Sequence, residues 1–147
     1  MPRPLPPPAR LGVTLPELLL VIALLAIVAA MSLTRIAGLH DRLAARGAAG
    51  LLTRALFDAR HAAWRLGTRV AVRVDTALGR ATIGTMSGPL ALHDLRTVFG
   101  VTLEATRDSL AYLPDGLAYG ASNARFIVAR GAAAETVTVS RVGRVRR

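Results

Sequence analysis

Residues 12–34 read GVTLPELLLVIALLAIVAAMSLT, and this stretch decides how the rest of the chain is understood. From Leu18 to Thr34 seventeen residues pass without a charge, and a single carboxylate, Glu17, stands at their head. A helix over residues 13–34 rises about 33 Å at roughly 1.5 Å per residue, against a hydrocarbon layer of roughly 30 Å, so the spacing predicts a membrane-crossing segment. An ionisable group at the mouth of such a segment is costly, which makes Glu17 a functional candidate. The preceding residues 1–12, MPRPLPPPARLG, hold five prolines between Pro2 and Pro8, a density that excludes a helix, and two cations, Arg3 and Arg10.

The order Gly12, Val13, Thr14, Leu15, Pro16, Glu17, Leu18, behind that short basic leader and ahead of the apolar run, resembles the class III leader of type IV pilins and type II secretion pseudopilins. The resemblance implies that prepilin peptidase cuts after Gly12 on the cytoplasmic side, methylates the new amine of Val13, and leaves the apolar helix attached. Glu17 then occupies the fifth mature position, where the family's glutamate pairs with the terminal amine of a neighbouring subunit during assembly. The family usually carries Phe at the first mature position, and this chain has Val13. Two plainer readings compete. An ordinary secretory signal peptide would use Arg3 and Arg10 as its basic region and cut near Val28-Ala29-Ala30, and an uncleaved single-pass anchor would keep everything. Neither gives a reason for a carboxylate leading the apolar run five residues after Gly12.

The 147 residues allow one small folded domain besides the anchor, and the 52% hydrophobic content is raised by residues 18–34. All of the positive charge is arginine, since lysine is absent, and removal of Arg3 and Arg10 with the leader takes the net charge from +10 to +8. Without cysteine there is no disulfide and no thiolate ligand, so the core rests on packing. The expected organisation is a cleaved leader at 1–12, a transmembrane and filament-core helix at 13–34, an amphipathic helix at 35–66, and a periplasmic β-sheet domain at 67–147 with a basic C-terminal tail.

Beyond the apolar run, Ala48, Leu51, Leu52, Ala55, Ala59, Ala62 and Leu66 recur at helical spacing, with Arg46, Arg54, Asp58, Arg60, His61 and Arg65 opposite. The stripe is rich in Ala, which lets a sheet approach the helix backbone closely. Gly38, Gly47 and Gly50 each weaken a helix by roughly 1 kcal/mol relative to Ala and read as tolerated small residues or as points of bending. Phe57 and Trp64, on the flank, read as packed under the sheet's edge, with a neighbouring subunit's surface as the alternative. After Gly67 the period changes to two. Val70, Val72 and Val74 alternate with Arg69, Ala71 and Arg73, and further strands are expected at 80–84, 98–105, 110–113, 125–130 and 135–140. Turns are expected at Gly88-Pro89 and Pro114-Asp115-Gly116, and a hairpin through residues 131–134. One long helix followed by an antiparallel sheet of five or six strands is an α+β pattern with a pilin-like order.

The second half adds its own likeness. Leu113-Pro114-Asp115-Gly116, residues 125–129 and the ending VTVSRVGRVR at 137–146 resemble the GspH/FimT group of minor pilins and pseudopilins, and residues 85–108 match no pattern. The resemblance implies a protein that acts by assembly, with no enzymatic activity and no cofactor or metal. In keeping with this, His40, His61 and His93 lie far apart, the nine acids are scattered singly, and no glycine pattern fits a phosphate-binding loop. The implied partners are other pseudopilins or pilins, prepilin peptidase, the inner-membrane assembly platform, and membrane lipid before assembly. The implied location is the inner membrane, single-pass, with the C-terminal domain in the periplasm. In DNA-uptake relatives of the FimT type a Gly-Arg-x-Arg tail is implicated in binding DNA, and Gly143-Arg144-Val145-Arg146 matches it. Arg141, Arg144, Arg146 and Arg147 are therefore candidate nucleic-acid contacts. Four phosphate contacts would give a salt slope of about −3.6 on duplex DNA, and the tail lacks an aromatic residue for base stacking. The two functional readings are a type II secretion pseudopilus subunit supporting protein secretion and a DNA-binding minor pilin of natural transformation.

Overall fold

The computed structural model describes residues 12–120 and 123–147, and within its first helix the side chains of all but residues 32–37. The expected leader, apart from Gly12, therefore lies outside the described residues, and of the expected 13–34 span the last three residues are described in their backbone alone. The chain divides into two units, Met1–Ile36 and Ala37–Arg147, and helix α1 (Leu15–Leu66) contributes residues to both.

In the first unit the helix begins after Thr14, whose carbonyl accepts from Leu18 N at 3.1 Å. Every described side chain from residue 12 to 31 is exposed, including Leu18, Val21, Ile22, Leu25, Ile27 and Met31. Burying such chains is favourable by roughly 1.5–3 kcal/mol each, so a bare surface of this kind calls for an apolar surrounding. Among the described residues no helix is long and apolar enough to cross a membrane.

In the second unit residues 37–66 of α1 are amphipathic as expected. Ala45, Ala48, Ala49, Leu52, Ala55, Leu56, Ala59 and Ala63 are fully buried, whereas Arg46, Arg54, Asp58, His61 and Arg65 are exposed. The buried arc is wider than the sequence stripe, taking in Ala44, Ala45, Ala49, Leu56 and Ala63, and it ends before Leu66, which is exposed. Gly47 has a specific packing reason: a Cβ on it would lie 2.6 Å from Phe99 Cε1, so the aromatic ring occupies the space left by the missing side chain.

Two four-stranded antiparallel sheets complete the unit. The first runs β3 (Gly88–Asp94), β2 (Arg80–Thr85), β1 (Val70–Asp75), β5 (Ser109–Tyr112); the second runs β4 (Thr102–Ala105), β6 (Ala124–Arg130), β7 (Ala133–Val139), β8 (Val145–Arg146). One core joins them to the helix: Val70, Val72, Ile83, Leu110 and Tyr112 from the first sheet and Leu103, Phe126, Val128, Val137 and Val139 from the second meet the Ala-rich stripe. The fold class is thus α+β, a helix packed on antiparallel sheet, with eight short strands in two sheets where five or six in one were expected.

Three local differences account for the change. Residues 98–101 were expected to open a strand, but helix α2 (Leu95–Phe99) ends there. Asp94 caps it, accepting from Thr97 N at 2.8 Å, and Gly100 closes it in the left-handed region at φ 63°. The cap bond, with the Arg80 guanidinium 2.8 Å away, holds the Asp94 carboxyl below its ordinary range. Gly88-Pro89 is no mere turn. It opens β3, where a proline is tolerated because the strand lies at a sheet edge beside a register shift at Ile83/Gly84. The tail supplies β8, too short to show an alternating pattern, paired through Thr138↔Arg146 and Val139↔Val145. The 131–134 hairpin is tighter than expected, since Arg130 pairs directly with Ala133. Trp64 is 75% exposed and Phe57 43%, so neither packs under the sheet as expected, because the helix turns the Ala stripe and not its flank towards the strands.

Candidate functional site

Gly12, Val13 and Glu17 belong to the first unit. Gly12 and Val13 are exposed, and the Glu17 carboxylate reaches back so that Oε2 accepts from Thr14 N at 3.5 Å. Thr14 and Glu17 stand three residues apart as in a capping box, so Glu17 has a local task at the helix start besides any intermolecular one. That T-x-x-E spacing is legible in the sequence, although the apolar run behind it draws attention first.

The arginine tail belongs to the second unit, where Gly143 shapes it. At φ 82° this residue turns the chain, with Gly143 N donating to Ser140 O and Ser140 N donating to Arg144 O, each at 2.9 Å. A Cβ there would lie 3.0 Å from Tyr112 Cε1 and 3.1 Å from Ala118 Cβ, so side-chain strain and crowding coincide. Beyond the turn Val145 is half-buried, and Arg144 and Arg146 are exposed on either side of it, the alternation expected of an edge strand. Arg147 is different: its Nε stands 3.7 Å from Glu135 Oε2, and Arg46 Nε on the helix stands 3.3 Å from Glu135 Oε1. The expected quartet therefore splits, with Arg147 tied to Glu135 and Arg144 and Arg146 facing solvent beside exposed Arg141.

Other groups hold the domain together. Arg130 is paired with Asp41 at 3.2 Å and donates through Nη1 to Phe99 O, linking β6 to the helix and to the end of α2. The Tyr112 hydroxyl is buried without a hydrogen-bond partner among the described residues, and burial pushes its pKa up to about 12 despite the nearby Arg60 cation. It stays protonated at any physiological pH. Among the described residues no group of three or more His, Asp or Glu side chains could hold a metal ion.

A site the sequence does not announce lies on the outer face of the first sheet. It is a trough of about 850 Å³ lined by residues of β1, β2, β5 and the β2–β3 hairpin, together with Arg69, Arg107 and Tyr119. Arg69 and Arg73 are near neighbours in sequence, but Arg107 and Tyr119 are far from them, and only the strand pairing brings these together.

No protein-family model matches the chain, and no curated protein matches it. Solved structures do share its fold. The type IV minor pilin FimU of Pseudomonas aeruginosa superposes with a TM-score of 0.62 at 19% identity, over 71% of this chain and 88% of that one. The minor pseudopilin EpsH from the Type 2 Secretion System of Vibrio cholerae does so with a TM-score of 0.57 at 18% identity, over 69% of this chain and 94% of that one. The chain therefore has the fold of these minor pilins and pseudopilins, a helix packed on antiparallel sheet.

Proposed function

We propose that the chain is a minor pseudopilin: an inner-membrane precursor cut after Gly12, then drawn into a periplasmic filament of a type II secretion system that supports protein secretion. The observation that carries this reading is the bare apolar surface of residues 18–31, headed by one carboxylate, in the same chain as a domain of the FimU and EpsH fold. Before assembly membrane lipid covers that surface; in the filament, neighbouring helices replace the lipid. Glu17 pairs with the methylated Val13 amine of the adjacent subunit, an arrangement favourable only when both desolvated charges meet well. Prepilin peptidase, the assembly platform and the other pilin-like subunits are the partners this requires.

A second reading, a FimT-like minor pilin that binds DNA, is favoured by one feature, the exposure of Arg144 and Arg146 beyond the Gly143 turn. Deleting the gene in its host separates the two. The first reading expects secreted enzymes to accumulate in the periplasm with transformation unchanged. Loss of transformation with normal secretion would transfer the assignment to the second.

A further inference from the structure

The strand registers place Ala111, Ala71 and Gly84 side by side across β5, β1 and β2 on the outward face of the first sheet. This row of minimal side chains is the floor of the trough. One wall is the next outward row, Ser109, Arg73 and Thr82, again aligned by pairing. The opposite wall is Arg69, whose guanidinium carbon lies 4.9 Å above the Tyr119 ring and whose Nη2 lies 3.8 Å from Met86 Sδ. The hairpin tip closes one end, leaning so far over Gly84 that a Cβ there would lie 3.0 Å from Gly88 O. Arg107 stands at the other end, its Nε donating to Asn123 O at 3.2 Å.

Three guanidiniums thus surround a small-residue floor, and among the described residues no carboxylate lines it. The carboxylate on the same face of β1, Asp75, is engaged by Leu78 N at 2.8 Å. Such a trough is complementary to an anion with several charges in a row. Its width selects among polyanions. Arg69, just ahead of β1, and Arg73 within it are four residues apart, about 13 Å at roughly 3.3 Å per residue, and their own side chains fill much of that. One extended chain fits, whereas a nucleic-acid duplex does not. A single strand of nucleic acid would need aromatic faces on which to stack its bases, and the one aromatic ring in the trough already has Arg69 over it.

We infer that this trough binds an extended acidic peptide segment of a partner protein, lying across β5, β1 and β2. Successive side chains of an extended peptide point to opposite sides, so adjacent Asp or Glu residues reach Arg73 on one wall and Arg69 on the other, with Arg107 meeting a carboxylate at the trough's end. Guanidinium forks match carboxylates in two-point hydrogen bonds, which is why arginine suits the role. The inference goes beyond the assembly reading and does not depend on it, because a peptide is bound by the folded domain whether or not the chain enters a filament.

The test uses the full chain in detergent micelles and a hexaglutamate peptide carrying an uncharged fluorophore, followed by anisotropy at low salt. Hexaglutamate is expected to bind saturably and hexaglutamine not to bind. Arg73→Gln with Arg107→Gln should weaken binding about tenfold or more. Ala71→Leu, which fills the floor without changing charge, should do the same, with Thr82→Leu as a second filling variant should the first melt early. Arg144→Gln with Arg146→Gln should change binding by less than about twofold, the ordinary scale for charges outside a site. Unaltered binding in both filling variants, loss of binding in the tail variant alone, or binding of an oligothymidylate but not hexaglutamate would overturn the inference.

Discussion

Gly143→Val is expected to destabilise the Ala37–Arg147 unit by about 2–5 kcal/mol, the sum of left-handed backbone strain and overpacking in a filled space. Gly143 sits at φ 82°, and its missing side chain leaves room for Tyr112 and Ala118, which approach to 3.0 and 3.1 Å of where a Cβ would be. A β-branched residue can neither adopt that backbone readily nor clear those neighbours. Since small domains are stable by only about 5–15 kcal/mol, the loss is large, and it should lower the melting temperature by roughly 10 °C or more. Gly143→Ala should fall between wild type and the valine variant. Calorimetry or thermal circular dichroism reads the effect, and a valine variant melting with the wild type would show that the Ser140–Arg144 turn is not needed to seat the tail. The variant also dissociates tail geometry from tail charge, because Arg144 and Arg146 remain while the strand that presents them is lost.

Glu17→Ala is expected to leave processing after Gly12 intact while reducing incorporation into filaments by roughly tenfold or more, the scale set by losing one partner of a desolvated ion pair. The structure adds a complication, since Glu17 also accepts from Thr14 N at 3.5 Å and so helps to begin the helix. Glu17→Gln keeps an acceptor for that bond and removes the charge. Both variants should show that reduced incorporation. If the glutamine variant assembled normally, Glu17 would be a helix cap and its pairing with Val13 would be discarded.

How far the sequence could be read depended on the range of the signal. The amphipathic part of α1 and the Val70, Val72, Val74 strand were legible because their periods are local: Ala48, Leu52, Ala55, Ala59, Ala62 and the three valines are buried, although Leu51 is half-buried and Leu66 exposed. The strand expected at 98–105 was half wrong, since the β-favouring Val98 and Phe99 outweighed a helix start and stop, Asp94 and Gly100, that were also present. β3 was hidden behind Gly88-Pro89, because a proline reads as a break unless the strand is known to be at an edge. Trp64 is the opposite case: a large aromatic on a helix suggests coverage, and only the placement of both sheets on the Ala stripe leaves it 75% exposed. Of the candidate residues, Gly12, Val13, Glu17 and the arginine tail are contiguous motifs and could be named from the sequence. The pairing of Arg147 with Glu135, and the meeting of Arg69, Arg73 and Arg107 around one floor, are products of topology and could not.

The account rests on the first dozen residues being removed while the apolar helix stays with the domain. Intact mass and amino-terminal sequencing of the protein purified from its native membranes measure this directly. The expected species is residues 13–147 beginning with N-methylated Val13. A chain that begins near Met31, or one that retains Met1, would contradict the account.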